Sequence, residues 1–268
     1  MRMTSLTGLV GASVLLFASA PSADKITETR ELKVATAPGL PLTVKTSNGS
    51  IEVIPTDSSE LRIKATVYAK HKERLEAVRI SASNDPATGN DIRVDFPESA
   101  QGEGCSLVIE VPGAKNVNLS ASNGALSIRG TAGIASLDTS NGGVVVKDHD
   151  GDATVRTSNG AVTVASLSGR VSITSSNGPV QLSGSAHPFQ IQTTNGPVTV
   201  GFDRAFSGVV SIATSNGTIS APNSAKVLSD SGNKGWDEAT MKISIGEGTE
   251  TSSIRTTNAP VKIRSAAD

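Results

Sequence analysis

The chain has 268 residues, which allows one or two domains. Its 24 Lys and Arg balance 25 Asp and Glu, so no net charge points to nucleic acid or to an anionic membrane surface as partner. Aromatic residues make up only 3%, too few for an interface built on aromatic anchors, and the one cysteine, Cys105, excludes an internal disulfide or a cysteine-based zinc site.

The first residues read as a targeting segment. Arg2 is followed by an apolar run from Leu6 to Phe17 and then by small residues from Ala18 to Ala23. This is the order of a secretory signal peptide, and a run of about 12 residues falls short of the roughly 20 that a spanning helix needs. Residues 1–23 are expected to be removed, after Ala20 or after Ala23. The remainder, 24–268, is expected to be a single exported domain without a membrane span: periplasmic, secreted or at the cell surface.

Residues 24–120 read as irregular N-terminal coils. Leu32 to Thr46 is expected to be an opening strand, with Ile51, Val53, Leu61, Ile63, Ala65 and Val67 forming a first coil. Lys70 to Arg79 suits a short helical turn or a strand edge. Ile80 and then Ile92 and Val94 flank Asp85-Pro86-Ala87-Thr88-Gly89, the pattern of a hairpin.

Residues 121–220 carry a repeat. Asn-Gly recurs at Asn123, Asn141, Asn159, Asn177 and Asn195, each 18 residues after the last. Asn216 follows after 21 residues, Asn258 after a further 42, and Asn48 marks an earlier copy. Between these signals lie two short runs with the period of two that defines a strand. Val162 and Val164 are followed by Ser168-Gly169 and then by Val171 and Ile173; Val144 and Val146 are followed by Asp150-Gly151 and then by Ala153 and Val155. The fold class is therefore all-β, a parallel β-solenoid of 18-residue coils with two strands each.

One coil cannot fold alone. Four buried side chains contribute about 6–12 kcal/mol, while ordering 18 backbone residues costs roughly 18–36 kcal/mol. Stacking must supply the rest, so residues 18 apart should form columns. Asn123, Asn141, Asn159, Asn177, Asn195 and Asn216 are expected to stack as a structural turn ladder, their amides bonded along the axis. Glycine after each Asn is expected to supply a positive φ. Thr139, Thr157, Thr193 and Thr214 should form an inward hydroxyl column.

Residues 221–268 hold an insert and the last coils. The insert contains Trp236 and a strand at Met241, Ile243 and Ile245; Val261 and Ile263 make the final strand. The ends should act as caps, because a bare solenoid end is an open sheet edge.

From Leu107-Val108-Ile109-Glu110-Val111-Pro112 through Val117-Asn118-Leu119 to the Ser-Asn-Gly units, the chain resembles the bacterial "putative adhesin" family of unknown function, DUF4097. The resemblance covers roughly residues 30–265. It implies a β-solenoid of single-chain coils at the cell surface or in the periplasm, and it carries no catalytic residues to transfer.

No residue pattern points to catalysis. His71, His149 and His187 fall at unrelated offsets, which suits solvated or turn histidines. Asp148, Asp150 and Asp152, beside Gly151, form the one acidic knot and the only candidate for a metal, Ca²⁺, although the spacing is not that of an EF-hand. No cofactor is expected. Outward residues such as Thr163, Thr174, Gln181, Gln190 and Gln192 make polar faces poor in aromatic groups. The expected function is a non-enzymatic envelope protein, an adhesin or interaction scaffold with a cell-surface protein, envelope protein or polysaccharide as partner. A polysaccharide-active β-helix enzyme and a passive structural module are the alternatives.

Overall fold

Val, Ile and Thr alternating with polar residues put most of the chain into strands. A computed structural model describes residues 25–97, 102–184, 188–232 and 238–265; the signal-peptide segment, His187 and Trp236 lie outside them. The N-terminal elements are β1 (Ile26–Ala35), β2 (Leu42–Asn48), β3 (Ile51–Thr56), β4 (Glu60–Ala69), helix α1 (Lys72–Ala77), β5 (Arg79–Asp85), β6 (Gly89–Asp95) and β7 (Gly104–Pro112). The central strands are β8 (Lys115–Asn123), β9 (Leu126–Arg129), β10 (Ala132–Thr139), β11 (Val144–His149) and β12 (Ala153–Thr157). They continue with β13 (Val162–Leu167), β14 (Val171–Ser175), β15 (Val180–Gly184), β16 (Phe189–Thr193) and β17 (Val198–Phe202). The chain ends with β18 (Gly208–Thr214), β19 (Ile219–Ser220), β20 (Lys226–Asp230), β21 (Ala239–Ile245), β22 (Thr251–Thr256) and β23 (Val261–Ser265).

The described strands form two large, mostly parallel sheets, an arrangement consistent with the expected solenoid. The first runs β1-β4-β7-β3-β9-β11-β13-β15-β17-β23-β19 and the second β20-β21-β18-β22-β16-β14-β12-β10-β8-β2-β6-β5. Through the centre, successive strands alternate between sheets. Each strand then pairs in parallel with the strand two further along. Val144 lies beside Val162, Val162 beside Val180 and Val180 beside Val198. In the other sheet Leu137, Val155, Ile173 and Ile191 make the matching column. All eight side chains are buried. The facing columns are the core, and the alternate residues face outward.

The ends depart from sequence order. The strand Leu32 to Thr46, expected as one element, is broken by a turn into β1 and β2, with Gly39 at φ +79°. The first coil, expected from Ile51 to Val67, does not form either. β3 pairs in parallel with β9 and β7, whereas β4 runs antiparallel between β7 and β1. The expected hairpin is present as β5 and β6. The ambiguous charged stretch contains α1, whose buried Leu75 closes the end of the core. The Arg30 guanidinium donates to the carbonyls of Leu75 at 2.8 Å and Val78 at 2.6 Å, satisfying backbone acceptors at the helix end. Arg74 holds the same helix to Glu103 by two bonds of 2.6 and 2.9 Å.

At the other end, β18 does not follow β16, although it is next in that sheet by sequence. β22 lies between them, parallel to both, and β23 likewise lies between β17 and β19. The final coil of the chain is therefore inserted beneath the preceding one. β21 then pairs antiparallel outside β18, and β20 outside β21.

Candidate binding surface

The Asn-Gly corner forms one continuous hydrogen-bonded edge. The side-chain Nδ2 of Asn123 donates to Oδ1 of Asn48 at 2.7 Å. The same bond joins Asn141 to Asn123, Asn159 to Asn141, Asn177 to Asn159 and Asn195 to Asn177, at 2.7–2.8 Å. Asn195 then accepts from Asn258 at 2.8 Å, and Asn258 from Asn216 at 2.7 Å. Asn216 thus stands beyond Asn258 and does not touch Asn195, because the last coil intervenes. Reversing one amide would set donor against donor on one side and acceptor against acceptor on the other. The ladder therefore has a single polarity.

Beneath the amides, Thr157 accepts the Gly160 N–H at 3.2 Å and donates to the Gly142 carbonyl at 3.1 Å. Thr139 donates to Gly124 O at 2.9 Å, and Thr214 to Ala259 O at 3.2 Å. These three hydroxyls therefore tie their corners to a carbonyl of the adjacent coil, and Thr193 accepts the Gly196 N–H of its own corner at 3.2 Å.

The glycines have a different reason from the one expected. Of the glycines that follow ladder asparagines, only Gly49 has a positive φ, at +125°. At Gly142, Gly160, Gly178 and Gly196 an added Cβ would stand 1.7–1.9 Å from the carbonyl oxygen of the glycine one coil below. Close approach of stacked backbones excludes a side chain here. The positive φ belongs to the opposite corner, where Gly130, Asp148, Ser166 and Gly184 adopt +61°, +51°, +54° and +111° at the 18-residue step. Residue type varies along this column, which hid it in the sequence.

The acidic knot sits at that second corner. Asp148, Asp150 and Asp152 are all exposed. Asp150 accepts from the Ser168 hydroxyl at 2.6 Å and Asp152 from the Arg170 N–H at 2.9 Å, so two of the carboxylates bond to the next coil. Among the described residues no group of three His, Cys, Asp or Glu side chains is placed to hold a metal ion. His149, expected to be a solvated or turn histidine, is buried at the end of β11. Its Nε2 faces the carbonyls of Gly133 at 3.1 Å and Asp152 at 3.3 Å, which can only accept. Nε2 therefore carries a proton, and Nδ1 shares a hydrogen bond with the Thr131 hydroxyl at 2.8 Å. The signal was present in the sequence, since Thr131 and Leu167 flank His149 at the coil spacing.

Cys105 is fully buried in the N-terminal end, and burial pushes its thiol up to about 12, opposed by the smaller effect of the Arg30 charge. The thiolate that would act as nucleophile is therefore scarce at neutral pH. Burial, followed by the nearby Cys105, also raises Tyr68.

The outer face of the second sheet carries an open hollow. Its floor is made by small residues, Ser253 on β22 with Ser211 and Ala213 on β18. Longer side chains rim it: Gln190 and Gln192 from β16, Arg255 from β22 and Lys242 from β21. Arg255 pairs with Glu238 at 3.2 Å. The groups offered are amides, hydroxyls and two cations on strands about 4.8 Å apart. The two glutamines were expected to face outward, and they do. Ser211, Lys242 and Arg255 were missed, because their approach to Gln190 depends on the inserted last coil.

No family model and no curated protein matches the chain. Among solved structures it is similar to a "putative adhesin" from Bacteroides fragilis NCTC 9343, at 11% identity and a TM-score of 0.40, over 91% of this chain and 98% of that one. It is also similar to a "putative cell adhesion protein" from Clostridium sporogenes ATCC 15579, at 10% identity and a TM-score of 0.36, over 88% and 99%. A "putative adhesin" from Parabacteroides distasonis ATCC 8503 gives 10% identity and a TM-score of 0.38, over 88% and 96%.

Proposed function

We propose that this chain is an exported, non-enzymatic interaction scaffold of the cell envelope, an adhesin-like β-solenoid whose outer β-faces hold a hydroxyl-rich polymer such as an envelope polysaccharide. The observation that carries this reading is the hollow bounded by Gln190, Gln192, Lys242 and Arg255 over a floor of Ser211 and Ser253. Amide and hydroxyl groups on neighbouring strands present paired donors and acceptors at a spacing suited to successive hydroxyls of an extended chain. The parallel stack holds those strands in fixed register, so little ordering is needed on binding. The Arg2 and Leu6–Phe17 signal supports export, and the described residues contain no helix long and apolar enough to cross a membrane.

Binding of purified envelope polysaccharides to the immobilised exported protein tests the proposal. The wild-type chain should bind at least one of them, and the Gln192→Ala, Lys242→Ala double variant should bind about tenfold more weakly, equivalent to roughly 1.4 kcal/mol, at an unchanged melting temperature. Equal binding by the variant, or no binding of any polysaccharide, would overturn the assignment and favour a passive structural module.

A further inference from the structure

The outer face of the first sheet carries four cations that the hollow does not use. Arg129 on β9 and Lys147 on β11 are direct partners in the parallel register. Lys262 and Arg264 lie on β23, with Arg264 in the same row across the strands as Arg129 and Lys147. All four alternate with buried residues of their strands, so they point away from the core. Lys147 is half-buried and the other three are exposed. Between the two groups, β13, β15 and β17 present Thr163, Ala165, Gln181, Ser183, Thr199 and Gly201. All six are uncharged and only Gln181 is long. None of the outward residues on the strands from β9 across to β23 is acidic.

The second sheet arranges its charges differently. There Arg93 pairs with Asp91 at 2.7 Å, Arg255 pairs with Glu238 at 3.2 Å, and Arg156 lies opposite Asp138. On the first sheet none of the four cations makes an ion pair among the described residues. Glu52, opposite Ser127, stands at one margin of this face; Asp148, at the bend of β11, and Asp203, past the end of β17, stand at another. Arg129 and Lys147 are like charges directly opposite each other, which weakens the sheet until an anion lies between them.

We propose that this face holds an acidic polysaccharide laid across the strands, its carboxylates on Arg129 and Lys147 at one end and on Lys262 and Arg264 at the other. The inference rests on the reading of the outer faces as polysaccharide-binding and gives the first sheet a ligand class of its own. Four strand steps separate Lys147 from Arg264, about 19 Å at the backbone. A small anion cannot reach both groups, whereas an extended chain can. The hydroxyls and amide of Thr163, Gln181, Ser183 and Thr199 lie between them and suit the hydroxyls of the intervening sugars. A membrane surface calls for aromatic or large aliphatic anchors beside the cations. No aromatic residue projects from this part of the face, and Val145 is its one apolar side chain larger than a methyl.

Titration of the exported protein with polygalacturonate tests the proposal, with fully methyl-esterified polygalacturonate and inorganic polyphosphate as comparison probes. The acid should bind about tenfold more tightly than the ester at low ionic strength, and added salt should erase the difference. The double variant Arg129→Gln, Lys147→Gln should lose most of that preference, and so should Lys262→Gln, Arg264→Gln. Both remove outward like charges, so their melting temperatures should be no lower than the parent's. The Gln192→Ala, Lys242→Ala variant should keep the preference, because the hollow lies on the other sheet. Equal binding of acid and ester, or a preference that survives both charge removals, overturns the inference and leaves the hollow's reading in place. A preference lost with Gln192→Ala, Lys242→Ala also overturns it, by moving the carboxylates to the hollow. Polyphosphate bound as tightly as polygalacturonate overturns it as well, since charge alone then accounts for binding. Failure of every polysaccharide, neutral or acidic, overturns the underlying reading together with the inference.

Discussion

The central coils and the two ends are built from the same strand chemistry but connected by opposite rules. In the centre every strand rests on a neighbour 18 residues away, and Val144, Val162, Val180 and Val198 meet in chain order. At the ends the partners are distant: Asn123 bonds Asn48 across 75 residues, and Asn258 bonds Asn195 across 63. Each end also buries a coil out of sequence order. β2 and β3 lie inside β6 and β7, while β22 and β23 lie inside β18 and β19. The difference teaches that repetition propagates a stack but does not finish it. An end is finished by placing a coil out of order and adding antiparallel strands outside it, and its loop-closure cost is correspondingly larger.

The sharpest way to break this comparison is to remove a coil from each region. Deleting residues 142–159 joins Asn141 to Gly160 and leaves the Thr-Ser-Asn-Gly corner intact. That protein should fold cooperatively with a melting temperature within a few degrees of the parent. Ending the chain after Glu250 removes β22 and β23, which leaves β18 and β19 without their parallel neighbours. Circular dichroism and hydrogen exchange should show the C-terminal end unfolded. Equal melting of both proteins would contradict the distinction.

A smaller effect separates the glycine positions. Gly160→Ala drives a Cβ to within 1.7 Å of the Gly142 carbonyl, and overpacking of this kind should cost about 1–3 kcal/mol in chemical denaturation. At the inserted coil the equivalent residue is already Ala259. Ala259 is 1% exposed, so Ala259→Gly should cost about 1–2 kcal/mol, through chain entropy and the loss of a buried methyl. Smaller still, Asn159→Ala removes two ladder bonds in the centre and Asn216→Ala removes one at the end. At about 0.5–1.5 kcal/mol for each bond, and toward the low end for exposed groups, the central substitution should cost about twice as much.

The smallest effect concerns the N-terminal end only. The Cys105 thiol is raised from 9.0 to about 12 in the folded chain. Its contribution to stability is complete below pH 9 and is lost as pH rises toward 12, because the unfolded thiol ionises while the buried one does not. A Cys105→Ala variant should show a shallower loss of stability over that window in pH-dependent denaturation. The central coils contain no cysteine and should contribute none of this dependence.

Much of the centre was legible because both its signals are local. A period of two fixes which face of a strand is buried, and an 18-residue return fixes what it rests upon. Buried His149 and the left-handed column at Gly130, Asp148, Ser166 and Gly184 obey the same spacing, but the residue types change along them, so chemistry alone did not mark them. The hollow on the second sheet was half legible. Gln190 and Gln192 follow from strand alternation, whereas Arg255 and Lys242 reach them only through the inserted β22 and the reversed β21.

The sequence by itself determined the strand content, the inward valines, the corner asparagines and the coil length. These depend on side-chain alternation and on residues at most one coil apart. Only the tertiary structure decided the order of the end coils, the antiparallel caps and the grouping of Lys242 and Arg255 with Gln190. An exposed strand edge accepts any strand of suitable length through backbone bonds that carry no residue identity, so the choice among distant partners falls to how the whole stack closes its core.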